Sequence, residues 1–304
     1  MDEALRSEVA MIPDIGHHLI GSGGKRFRPL LLLSTAALCG YKGEKRYALS
    51  AVIEFIHTAT LLHDDVIDHA HVRRGKVSAN NIWGNAASVL VGDYLYSKAF
   101  KLMSEHGNLP IIHTLSQTTN TMAEGEVFQL VKCGDVNLTE EDYLKIIEKK
   151  TSVLIAAACT VGAMLGEAAP QRVDALTRFG MNVGSAFQII DDTLDYMATE
   201  EAFGKTIGKD LAEGKITLPL IRTLHLCGDG DRESLMQALS DPERNNHGTA
   251  YIMTLINRYD SISYAINKAE SYIEEGKTIL SAMPDSPDRA ALFAVADYVI
   301  ARKA

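Results

Sequence analysis

Apolar residues recur at three- and four-residue steps through most of the chain, the spacing that lines one face of an α-helix. Residues 3–20 place Leu5, Val9, Ile12, Ile15 and Leu19 on such a face. The stretch GSGGKRFRP (21–29) breaks the pattern with small residues, a basic cluster and a proline able to open the next helix, 29–40. A helix over 47–68 runs into aspartates, and HVRRGKVSANNIWG (71–84) reads as a connecting segment. Helices follow over 86–107 and from Pro110 to about Cys133. The long run 138–166 starts with an N-cap threonine, Thr139, and acids in its first turn. Pro170 precedes a helix over 171–197 that again ends in aspartates. TLPLIRTLHLCG begins a further helix, SDPERNNHG is a turn, and two more helices close the chain. Strand-like alternation is nearly absent. The pattern predicts an all-α bundle of ten or more helices. Length alone suggests about two domains, but no linker divides the chain, and residues 1–304 read as a single domain.

Composition narrows the classes. A chain of 304 residues, 46% of them hydrophobic, can bury a sizeable core. A net charge of −9 argues against general nucleic-acid binding, which needs a basic face. Cys39, Cys133, Cys159 and Cys227 have neither metal-ligand spacing nor the density of a secreted disulfide framework, which fits a reducing cytoplasm. The first residues are acidic and lack a continuous apolar core, so they read as no signal peptide. The longest apolar runs stop at about 12 residues, short of the roughly 20 that span a membrane.

The chemistry sits where the apolar helices end. DDVID (64–68) recurs as DDTLD (191–195), and each is followed by bases. Asp64 and Asp68 share a helix face, as do Asp191 and Asp195, while Asp65 and Asp192 lie about 100° round. Carboxylates this close at a helix C-terminus repel one another and meet an unfavourable dipole. Cations relieve both, and Mg²⁺ commonly bridges carboxylates to phosphate. A single such cluster is usually a solvated helix end. Two copies with the same surroundings point to metal. Lys25, Arg26 and Arg28, then Arg73 and Arg74, then Lys205, Lys209 and Lys215 supply charge for two polyphosphate groups. His57, two turns before Asp64, is a candidate phosphate donor. His63, His69 and His71 flank the acids, but imidazole suits zinc or iron better than magnesium.

These residues carry a resemblance. GGKRFRP, HTATLLHDDVIDHAHVRRG, GEVFQ, KKT, FQIIDDTLD and GKTIGKDLAEGKITLPL, in this order, resemble the trans-isoprenyl diphosphate synthases, the polyprenyl synthetase family. The wording around the first motif and GNAASVLVGDYLYSKAF is similar to the bacterial long-chain synthases of the octaprenyl type, which make quinone side chains. Family members carry a longer leading helix than this chain does. The resemblance implies an all-α isoprenoid synthase bundle around a central cavity, a cytoplasmic homodimer with transient membrane contact for product release, and three Mg²⁺ ions with substrate bound. It implies Asp64, Asp68 and Asp191 as main metal ligands, with Asp65, Asp192 and Asp195 in or behind the coordination sphere. Arg73, Lys150, Gln188, Lys205 and Lys215 would hold the allylic diphosphate. Lys25, Arg28, His57 and Arg74 would hold isopentenyl diphosphate, and Thr151 and Phe187 would line the reacting centre.

The apolar run before Asp64 then becomes a wall of the product tunnel. Ala59 and Thr60 are small, where tyrosine or phenylalanine would stop growth after one or two additions. Ile56, Met103 and Leu115 are the candidates for the tunnel floor. The expected product is octaprenyl diphosphate, with geranylgeranyl, hexa-, hepta-, nona- or decaprenyl as alternatives of the same chemistry. A head-to-head synthase or terpene cyclase would leave the isopentenyl-anchoring set without purpose. A metal-dependent phosphohydrolase built on His57, His63 and Asp64 would leave the second acid cluster unexplained. A non-catalytic partner subunit would have lost its aspartate motifs.

Overall fold

The computed structural model describes residues 5–197, 209–240 and 246–302. The helices are α1 (Met11–Ile20), α2 (Phe27–Leu38), α3 (Lys45–Ile67), α4 (Ala79–Trp83), α5 (Asn85–His106), α6 (Leu109–Lys132), α7 (Glu140–Ile147), α8 (Val153–Leu165), α9 (Pro170–Met197), α10 (Lys209–Ala212), α11 (Leu218–Leu226), α12 (Asp229–Ser240), α13 (Asn246–Arg258), α14 (Ser261–Ser281) and α15 (Pro287–Ala301). The all-α reading is correct. Among the described residues no helix is long and apolar enough to cross a membrane.

The chain forms two compact units. The first takes residues 1–119 and 157–177, the second residues 120–156 and 178–304. Helices α6, α8 and α9 contribute residues to both.

In the first unit α3 is the central element. It is buried on nearly every side from Leu49 to Ala59, as a helix apolar all round must be. Helix α5 packs along its length and α2 lies against it. Leu5 is fully buried in a 3-10 turn, and α1 starts at Met11 rather than at residue 3, with Val9 60% exposed. The segment 71–84 holds more than a connection. Val72–Arg73 and Lys76–Val77 pair as β1 and β2 of an antiparallel hairpin, and α4 follows. The hairpin turns on Arg74 (φ 53°) and Gly75 (φ 76°), a two-residue turn with both φ positive that matches the twist of the strands.

In the second unit Thr139 caps α7 as expected, its hydroxyl accepting the Asp142 N–H at 3.1 Å. The helix then widens into a π turn over Glu148–Ser152 before α8 begins. Such turns cluster at functional sites, and this one carries Lys150 and Thr151. Gly125 of α6 and Gly184 of α9 let backbone approach it. A Cβ on Gly125 would lie 2.9 Å from the Lys150 nitrogen, and one on Gly184 would lie 2.5 Å from the Ser152 Cα. Helix α14 buries Ala265, Ala269, Ile273, Gly276 and Leu280 at three- and four-residue steps, against α11 and α15. After residue 240 the structure has three helices, not two, and residues 246–248 belong to α13 rather than to a turn.

Candidate active site

In the first unit α3 delivers His57, Asp64, Asp65 and Asp68 from one buried scaffold. Asp64 and Asp68 are partly exposed in its last turn, where the Asp68 N–H closes on the Asp64 carbonyl at 2.8 Å. Asp65 points inward and is fully buried. Its Oδ1 accepts from Arg73 Nε at 2.7 Å and Nη2 at 2.6 Å. Its Oδ2 is buried with no hydrogen-bond partner. An orphaned carboxylate oxygen in the same turn as two further carboxylates fits a cation. The geometry gives Asp65 a task the sequence did not suggest, that of holding Arg73.

The basic residues gather around His57. Loss of water pushes its imidazole well below the usual range, and Arg28, Arg74, Arg73 and Arg26 push it further down. Burial and the four guanidinium groups around it keep this histidine neutral in strongly positive surroundings, which favour an anion. Arg74 reaches across the basic loop and donates to the Gly23 carbonyl. A side chain at residue 24 would block it, since a Cβ there would lie 2.8 Å from Arg74 Nη1. Lys25 is exposed and Arg28 half-buried. His63 and His71 have other partners. His63 stacks on Tyr96 with ring centroids 6.2 Å apart and pairs with Asp93 at 3.3 Å, and His71 contacts Asn81 Oδ1 at 3.2 Å.

Of the tunnel candidates, Ile56, Ala59, Met103 and Leu115 are fully buried. Thr60 is partly exposed, its hydroxyl donating to the His57 carbonyl at 2.8 Å.

In the second unit one chain of hydrogen bonds joins three elements. Thr151 Oγ1 of the π turn donates to Gln188 Oε1 at 2.8 Å, and Gln188 Nε2 donates to Asp192 Oδ1 at 2.6 Å. Tyr143 of α7 donates to Asp192 Oδ2 at 2.7 Å. Lys150 pairs with Glu126 at 2.8 Å and Lys215 with Glu213 at 2.7 Å. A cavity of about 130 Å³ opens among Lys150, Thr151, Gln188, Asp192, Asp210 and Lys215. Asp191 is exposed and accepts from Arg302 at 2.6 Å, and the same guanidinium stacks over Phe187 at 4.5 Å. Lys205 lies outside the described residues.

Sequence reasoning missed Asp210, Tyr143 and Arg302. Asp210 lay within a motif already singled out, among more conspicuous lysines. Nothing in the spacing connects Arg302 to an aspartate 111 residues earlier. Asp210 donates its N–H to Asp195 Oδ2 at 3.0 Å. Burial first, then the charge of Asp195, lifts its carboxyl to about 7. Asp192 is raised well above the usual range by burial and then by Asp210. Carboxylates that repel in this way suit a divalent ion. Among the described residues no three His, Cys, Asp or Glu side chains already form a metal cage. Magnesium does not require one, since it keeps waters and phosphate oxygens beside one or two carboxylates.

A pH dependence follows. The folded-state pKa of Asp210 is raised above its unfolded value, so its contribution to stability is complete below about pH 4 and is lost as pH rises to about 7. In chelator, the Asp210→Asn variant should lose less thermal stability than the wild type over that window, measured by melting. Added Mg²⁺ should stabilise the wild type increasingly over the same range. Identical pH profiles for both proteins would exclude this assignment.

A mainly helical scaffold with two acid clusters, each near basic side chains, fits a metal-dependent enzyme of diphosphate substrates. The model of the polyprenyl synthetase family matches residues 9–256. The chain belongs to that family and is a prenyltransferase. It is 39% identical over 300 residues to octaprenyl diphosphate synthase of Escherichia coli, covering 99% of this chain and 93% of that one. It is similar to the crystal structure of a decaprenyl diphosphate synthase from Rhodobacter capsulatus, with TM-score 0.95 and 39% identity, over 100% of this chain and 94% of that one. It is also similar to a polyprenyl synthase from Caulobacter crescentus complexed with calcium and isoprenyl diphosphate, with TM-score 0.94 and 40% identity, over 100% and 92%. The family is magnesium-dependent.

Proposed function

We propose that this enzyme condenses isopentenyl diphosphate head-to-tail onto an allylic diphosphate, farnesyl diphosphate being the expected primer. The product is a long-chain all-trans polyprenyl diphosphate, octaprenyl in length, for a quinone side chain. The observation that carries the reading is the gathering of Arg26, Arg28, Arg73 and Arg74 around His57, which a cyclase or a head-to-head synthase has no use for. The E. coli relative supports the octaprenyl length. The decaprenyl synthase among the similar structures keeps neighbouring lengths as the second reading. Residues 1–304 act as one catalytic domain in this proposal.

Three magnesium ions, when bound, would neutralise the allylic diphosphate and make it a better leaving group. Asp64, Asp68 and Asp191 would hold them, with Asp65, Asp192 and Asp195 in or behind the coordination sphere. Lys150, Arg73, Gln188, Lys205 and Lys215 bind the same diphosphate and stabilise the charge it gains as its C–O bond breaks. Lys25, Arg28, His57 and Arg74 anchor isopentenyl diphosphate so that its double bond meets the allylic carbon. Neutral His57 donates a hydrogen bond there without adding charge. The new C–C bond forms, and a proton leaves to the released diphosphate. Thr151 and Phe187 line the reacting centre, and apolar walls keep water from the allylic cation.

The enzyme is a cytoplasmic homodimer in this reading. Val127, Leu130 and Val131 support self-association, as an exposed stripe on α6 at three- and four-residue spacing. Transient contact with a membrane would receive the product.

The test is product length. Wild-type protein with Mg²⁺, farnesyl diphosphate and labelled isopentenyl diphosphate should yield octaprenyl diphosphate as the main product. Thr60→Phe should shorten it to geranylgeranyl or less, because Thr60 is partly exposed and a ring there meets the growing chain. An unchanged product from a folded Thr60→Phe protein would remove Thr60 from the tunnel wall. Absence of any condensation by the wild type would overturn the function.

A further inference from the structure

The basic loop offers three cations, Lys25, Arg26 and Arg28, and the structure separates one of them from the others. Arg26 donates through Nη1 to Glu54 Oε1 and through Nη2 to the Ile20 carbonyl. Glu54 lies in the buried stretch of α3 and is 4% exposed. It precedes His57 by one helical turn, so the two share a face. Arg26 holds a left-handed backbone, φ 47° and ψ 38°, at the start of α2. Gly23 and Gly24 have φ 86° and 136°. The loop therefore turns sharply with no regular backbone ladder of its own. Beside the bond from Arg74 to the Gly23 carbonyl, the loop is tied to the core by the Arg26 side chain, planted on a buried carboxylate one turn from His57.

We propose that Glu54 and Arg26 form a positioning strut that sets the basic loop for isopentenyl diphosphate, while Arg26 itself does not bind substrate. The inference rests on the functional reading above. Two of the four arginines around His57 are thus engaged by buried carboxylates, Arg26 by Glu54 and Arg73 by Asp65. A carboxylate beside an anion site opposes the anion by simple Coulomb attraction and repulsion. Glu54 belongs there because it is neutralised by Arg26 and fixes where the loop runs. A buried acid of this kind needs its partner, and the arginine fork reaches two acceptors that a lysine cannot hold together.

The two roles predict opposite signs. If Glu54 contributed charge alone, Glu54→Gln would lower KM for isopentenyl diphosphate. If it is the strut, KM should rise about tenfold, as misplacement of an anchoring loop implies. KM for the allylic primer should stay within about twofold in either case, since other residues hold that substrate. Arg26→Lys keeps the charge and loses the fork, so it should raise the same KM in the same direction. It decides the matter if Glu54→Gln does not fold. Steady-state kinetics with each substrate varied in turn, alongside melting curves, read these outcomes. A lower or unchanged KM in a folded variant, or equal movement of both KM values, overturns the strut. Should the wild type itself fail to condense the substrates, the functional reading falls. Calorimetric binding of inorganic pyrophosphate to wild type and Glu54→Gln then tests the strut alone, with weaker binding expected in the variant and equal or tighter binding against it.

Discussion

An Asp64→Asn enzyme is expected to turn over its substrates about a thousandfold more slowly than the wild type while remaining fully folded. The two halves of that expectation come from the same geometry. Asp64 is partly exposed in the last turn of α3. Without a cation its charge faces Asp68 one turn on and the negative end of the helix dipole. Removing that charge relieves both, so the melting temperature in chelator should fall less than that of Asp65→Asn. In the proposed mechanism the same charge would link the protein, through magnesium, to the leaving group, and asparagine binds a divalent ion far less well. Asp65→Asn should behave differently. Asp65 is fully buried against Arg73, so its loss leaves a guanidinium short of its partner and costs about 1–3 kcal/mol of stability. Parallel melting and turnover measurements on the two variants separate them. Activity within tenfold of wild type in Asp64→Asn would defeat the metal assignment at this position.

That contrast also shows where the sequence stops being legible. Helical spacing located α3, α5, α6 and α9 to within about two residues, because their buried faces are long and the 3.6-residue period repeats many times. It also placed the aspartates at helix ends. It set Asp65 about 100° round the helix from Asp64 but did not say which of the two would be buried. One stays at the surface and the other goes inside to meet Arg73, and that choice depends on where the hairpin returns the arginine. The hairpin itself escaped notice, since two strands of two residues cannot show alternation. Leu5 satisfied the helical spacing and is buried, yet it sits in a 3-10 turn that is broken from α1 by residues 6–10. Arg302 and Tyr143 reach the second cluster only through tertiary packing, for which the sequence carries no local sign.

The π turn at Glu148–Ser152 was invisible for a related reason, because a one-residue widening leaves the apolar pattern of a long helix almost unchanged. Its consequence for activity is large, and Gly184→Ala exposes it. The added Cβ would lie 2.5 Å from Ser152 Cα and 2.9 Å from Ser152 Cβ. Backbone cannot rotate away as a flexible side chain can, so α9 and the π turn must separate. Gln188 is one turn on from Gly184, and its 2.8 Å bond from Thr151 spans that contact. A displacement of about 1 Å there disturbs Lys150, Thr151 and Gln188 together and should lower kcat about a hundredfold. Overpacking of this kind costs about 1–3 kcal/mol of stability, a loss the fold should survive. Gly276→Ala is the control. Its Cβ would meet Phe179 at 3.4 Å, an ordinary contact, and alanine favours the helix that contains it by up to about 1 kcal/mol. It should therefore keep wild-type turnover and melt no earlier. If Gly184→Ala retained more than about a third of wild-type kcat, close backbone packing would not be what places these residues, and the hydrogen-bonded chain from Thr151 to Asp192 would have to be sufficient without it.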